Sequence, residues 1–111
     1  MQLRLGQLLL SAARLLWNFT YVIEVHYISP DEYEVKVGGT TATVHRVTLR
    51  DADRQRLGGS DIPAEQLIEE SFRFLLEREP NTSILRTFDL PVIGRYFPEY
   101  EDEIRKRLRH G

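Results

Sequence analysis

Between Ile62 and Arg78 apolar residues recur at helical spacing, and they cover more of the helix than one neighbour can bury. Leu67, Ser71 and Leu75 form one row and Ile68, Phe72 and Leu76 the next, with Phe74 on the border and Glu69, Glu70, Arg73 and Glu77 opposite. An arc this wide predicts a helix gripped from two directions. Strands hold one flank, and the carboxy-terminal segment or a second subunit holds the other. Ser60 or Asp61 can cap the start, Pro63 suits the first turn, and Pro80 forces a stop. Ser71 lies inside the arc, where a small hydroxyl bonded to the preceding turn is ordinary and no base stands nearby in sequence.

The sheet this helix requires is written upstream in a different period. From Thr20 onward apolar and polar residues alternate, and Ser29-Pro30-Asp31 and Gly38-Gly39 divide the stretch into three strands. A loop at 29–31 pairs Tyr27 with Tyr33, Val25 with Val35 and Ile23 with Val37, while His26 meets Glu34 and Glu24 meets Lys36. A tight turn at Gly38-Gly39 then brings Ala42 near Val35 and Val44 near Tyr33. Val44 and Val47 lie an odd number of residues apart, so both reach the core only through a bulge near His45, or if residues 45–50 pair elsewhere. The polar run RDADRQRLGG suits a short helical turn or an exposed loop.

After Pro80, Asn81 to Ser83 offers a new cap and Ile84, Leu85 and Phe88 form a short apolar patch. Asp89 can cap a further short helix, with Pro91 in its first turn and Val92, Tyr96 and Phe97 on its buried side. The last helix follows Pro98, acidic at its start and basic at its end, with Tyr100, Ile104 and Leu108 as its docking stripe. The resulting fold class is α+β: a three-stranded antiparallel meander packed on one long helix, with short carboxy-terminal helices and an amino-terminal amphipathic helix.

Composition bounds the function. With 111 residues, 41% of them hydrophobic, and a formal charge of -2, the chain suits one globular domain, assigned to residues 19–111. The absence of cysteine removes disulfides, thiolate nucleophiles and Cys-ligated metal centres, and it is compatible with a cytoplasmic setting. Residues 1–18 place Leu5, Leu8, Leu9, Ala12, Leu15 and Leu16 at helical spacing. Arg14 interrupts that run, which is too short for a signal peptide or a transmembrane span. It reads as a docking helix, a weak membrane-surface helix or an extension.

The polar sheet face is the place to look for chemistry. His26, Glu34 and Glu24 gather there, His45 is positioned to approach, and two histidines with carboxylates are the donor set for a transition metal or for proton exchange. No HExxH or similar spacing fixes a ligand geometry, and charged pairs are what an exposed antiparallel face ordinarily carries. No cofactor is called for, and no catalytic set assembles. Tyr96, Phe97 and Tyr100 are candidate partner-binding residues wherever they remain exposed. The competing reading is a ribbon-helix-helix-like DNA-binding repressor or antitoxin, in which VHRVTLR supplies His45, Arg46, Thr48 and Arg50 to the major groove. Net acidity and the short 51–59 stretch weigh against nucleic acid.

The segments SFRFLLEREP, SILRTFDL and VIGRYFPEYE resemble a group of small bacterial proteins to which no activity attaches. The resemblance covers about the last half of the chain and implies a compact unit in a bacterial setting. It implies no site residue. The expected role is a non-catalytic protein-interaction or regulatory module, acting on a protein partner or by self-association.

Overall fold

The computed structural model describes residues 21–110, so the amphipathic helix expected over residues 1–18 lies outside the described residues. The described chain is α+β. Its strands are β1 (Val22–Ser29), β2 (Glu32–Gly38), β3 (Thr43–Thr48) and β4 (Thr87–Asp89), joined in one sheet of order β1-β2-β3-β4. Its helices are α1 (Asp51–Gly58), α2 (Ala64–Leu76), α3 (Ile93–Tyr96) and α4 (Tyr100–His110), with single 3-10 turns at Asn81–Ser83 and Leu90–Val92.

The β1–β2 hairpin has the register that side-chain pairing predicts, with Ile23 on Val37, Glu24 on Lys36, Val25 on Val35, His26 on Glu34 and Tyr27 on Tyr33. Asp31 takes a φ of 67° in its turn, a left-handed conformation that Asp tolerates better than most residues. A bulge follows Tyr27, so that Ser29 is the residue paired with Glu32.

The second hairpin departs from expectation. Val37 pairs with Thr43, Val35 with His45 and Tyr33 with Val47, a shift of three residues from the tight-turn register. An odd shift turns every side chain to the other face. Thr43, His45 and Val47 therefore point inward while Val44, Arg46 and Thr48 point out, and the conflict between Val44 and Val47 is resolved without a bulge. The core gains Val47 and Leu49 at the expense of Val44, which stays 48% exposed. Residues 45–48 also do not leave the meander, since they remain paired with β2.

A fourth strand was not foreseen. Thr87 to Asp89 joins β3 in parallel, pairing Arg46 with Thr87, Val47 with Phe88 and Thr48 with Asp89, which makes the sheet mixed. The 51–58 stretch forms a complete short helix, α1, whose Leu57 is buried. Neither Ser60 nor Asp61 caps α2. Pro63 occupies that position without a side-chain bond, and its carbonyl accepts from the backbone N–H of Gln66 and Leu67. Ser60 belongs instead to the turn that Arg54 holds by donating to the carbonyls of Gly59, Ser60 and Ile62. Asp89 precedes the 3-10 turn without a capping bond, and its carboxylate takes Arg50 at 3.3 Å.

The two-sided grip on α2 is present. Phe72 looks toward the sheet, with its ring centroid 5.4 Å from His45 and 6.0 Å from Phe88. Phe74 looks the other way, meeting Phe97 at 5.8 Å and Tyr100 at 5.3 Å. The stripe Tyr100, Ile104 and Leu108 is buried, as the four-residue spacing predicts. Ser71 lies at this seam, donating to Leu67 O at 2.8 Å and sitting 2.7 Å from the Tyr100 hydroxyl. Its single proton is spent on Leu67, so Tyr100 is the donor in the second bond. Ser71→Ala should therefore cost about 1–3 kcal/mol by leaving the buried phenol without an acceptor. Tyr100→Phe should cost only about 0.5–1.5 kcal/mol, because Ser71 keeps Leu67. Urea unfolding of the two variants reads the asymmetry, and equal costs contradict this donor assignment.

Candidate functional site

The three-residue shift of β3 separates the residues that the polar-face reading had grouped. His26, Glu24 and Glu34 stay together on the outer face, where His26 Nε2 lies 3.3 Å from Glu24 Oε1 and His26 is paired across to Glu34. His45 is on the opposite face and only 1% exposed, so the two histidines cannot converge on one ligand. Among the described residues no group of three His, Asp or Glu side chains is arranged to hold a metal ion.

His45 has a different chemistry. Its Nδ1 lies 2.8 Å from the Leu85 carbonyl, which can only accept, so that nitrogen carries the proton. Nε2 is then an acceptor and takes the Thr43 hydroxyl at 2.8 Å. Thr43 Oγ1 in turn accepts from the Asn81 amide at 2.9 Å, and the same amide donates to Thr41 O at 2.7 Å. This chain is complete with a neutral imidazole. Burial holds the His45 pKa below its ordinary value, Arg86 pushes the same way, and the Leu85 bond opposes them. Nδ1 thus fastens Leu85 to β3 directly and Nε2 fixes the Thr43 hydroxyl that takes Asn81, so both ring nitrogens are occupied.

The other expected groups are also placed. Phe97 and Tyr100 lie in the core and Tyr96 is half-buried, so of the three only Tyr96 offers surface to a partner. In the DNA-binding set His45 is buried, Arg46 points out from the sheet, Thr48 is half-buried and Arg50 answers Asp89. A ribbon-helix-helix protein pairs this kind of strand with its twin, whereas β3 here has β2 on one side and β4 on the other.

The apolar surface lies elsewhere. Large hydrophobic side chains exposed among the described residues are Val22 at 62%, Tyr27 at 59%, Ile28 at 39% and Val44. Three of these four belong to β1, which is an edge of the described sheet. The signal was present in the sequence as VIEVHYIS, an alternating strand at the start of a meander, and a first strand has one neighbour unless another segment covers it. A shallow groove of about 410 Å³ also opens beside Leu57, Gly58, Ile62 and Leu108. Two of its arginines, Arg56 and Arg105, already pair with Glu101 at 2.8 and 3.4 Å.

Comparison of the chain with protein-family models, curated proteins and solved structures gave no match. No helix among the described residues is long and apolar enough to cross a membrane.

Proposed function

We propose that the chain is a non-catalytic interaction or regulatory module that presents the β1 edge of its sheet to a protein partner. The supporting observation is the placement of Val22, Tyr27 and Ile28 on one strand that has a single neighbour among the described residues, where a strand edge and exposed apolar side chains coincide. An incoming strand gains main-chain hydrogen bonds from that edge and side-chain contacts from alternate residues. The chemistry-bearing residues point the same way, because His45 is consumed by Leu85 and Thr43 and the outer-face charges answer one another.

A photoreactive amino acid placed at Ile28 in cells tests this, with the same substitution at exposed Lys106 on α4 as reference. The expected result is discrete cross-linked species from position 28 and none from position 106. Equal or absent cross-linking at the two positions overturns the reading.

A further inference from the structure

We infer that the β1 edge is built to pair with a second copy of itself, antiparallel and two-fold symmetric about Val25, joining two sheets into one continuous sheet. This rests on the interaction reading above and names its partner. Symmetry is a strong filter, since in a two-fold contact each residue i that meets j requires j to meet i. A register centred on Val25 sets Val22 against the partner's Ile28, Ile23 against the partner's Tyr27, Glu24 against the partner's His26, and Val25 against the partner's Val25. Every pair matches in kind. The apolar residues meet apolar residues, and the single acidic side chain of the strand meets its single basic one.

Burial agrees with this register. Val22, Tyr27 and Ile28, three of the exposed large hydrophobics, all fall opposite apolar groups in it. Ile23 and Val25 are only partly buried by their own chain, so a neighbouring strand completes their cover. Centring the axis one residue away, on Glu24 or His26, opposes a like residue with itself at the centre, carboxylate to carboxylate or imidazole to imidazole. Only the Val25 register makes the edge self-complementary.

The outer-face charges extend the match beyond the strand. Within one chain Arg46, Glu34 and His26 stand in one cross-strand row, and Glu24 stands beside Lys36 in the next. Across the two-fold the rows join as Arg46, Glu34, His26, the partner's Glu24 and the partner's Lys36, whose signs alternate when the imidazole is protonated. The bulge after Tyr27 leaves residues 23–27 regular to carry the register, and Ile28, which the bulge takes out of the β2 pairing, meets the partner's Val22 at its rim.

The test uses the full chain in equilibrium sedimentation, where a 13.0 kDa protomer should show a concentration-dependent approach to twice that mass. Glu24→Lys removes the carboxylate that faces the partner's imidazole, and His26→Glu faces a carboxylate with a carboxylate, so each alone should weaken association, the second by about tenfold. An equimolar mixture of the two variants should regain wild-type affinity, because Glu24→Lys in one chain meets His26→Glu in the other. That rescue depends on register and excludes misfolding as the cause. As a second readout, Val25→Cys introduces the chain's sole thiol on the axis and should oxidise to a covalent dimer, whereas Ile23→Cys should not. A wild-type monomer at every concentration, a dimer indifferent to both charge variants, or a mixture without rescue overturns the inference. Cross-linking of a different protein from Ile28 alongside a monomeric chain would sink the self-pairing and leave the interaction reading standing.

Discussion

Replacing Phe74 with alanine should lower the free energy of unfolding by about 3–5 kcal/mol, the cost of deleting a fully buried aromatic ring and of the cavity left where its surroundings relax only in part. The ring is enclosed on several sides. Phe97 and Tyr100 meet it edge-on, the Arg78 guanidinium lies 3.5 Å from its centroid, and Arg107 stands 5.7 Å away. Those arginines are held in turn by Glu99, Glu77 and Glu103. One substitution thus disturbs the aromatic cluster and the ionic lid over it together. Since small domains are stable by only about 5–15 kcal/mol, the variant should unfold at much lower urea with an unchanged slope. A cost below about 1 kcal/mol would show that the α2–α4 seam is not a main support of the fold.

The second large effect concerns His45. His45→Leu keeps the volume but strips the Leu85 carbonyl and the Thr43 hydroxyl of their ring partner, which should cost about 2–4 kcal/mol at neutral pH. The wild-type protein should also be acid-sensitive in a defined direction. Its imidazole titrates below the ordinary value of 6.5 when folded, so the unfolded chain takes up the proton first as pH falls. Stability from this group is fully present above 6.5 and is lost as the pH drops from there through the folded pKa. His45→Leu should remove that part of the slope, leaving a flatter profile between neutral and mildly acidic pH. Denaturant titrations of both proteins across that range decide it, and parallel profiles would contradict the burial argument.

Much of the architecture was legible because hydrophobic period reports burial directly. The first hairpin followed from its side-chain pairs, and the wide arc of α2 announced two neighbours, which Phe72 and Phe74 then reach separately. The second hairpin was misread because a glycine pair suggests a tight turn without counting the residues that follow. The chain spends residues 39–42 on the connection, which places a histidine and a threonine inward. Pattern reading assigns such residues to solvent, and only Asn81 and Leu85, about forty positions downstream, make their burial tolerable. β4 escaped for a related reason: three residues show no period, and its pairing is entirely non-local. The candidate site changed accordingly. Grouping His45 with His26 assumed the wrong face, whereas the apolar edge of β1 could have been suspected from its place at the start of the meander.

The parallel attachment of β4 also bears on how the molecule comes into being. Ribosomes deliver the meander well before residues 85–89, and until those arrive β3 lacks its outer neighbour, including the bond from Arg46 N to Arg86 O. A nascent chain halted short of that point would carry a bare strand and an imidazole with half its partners, an arrangement prone to mispairing. Completion of the sheet is thereby tied to the arrival of residues 85–89, and that later segment acts as a latch on earlier structure.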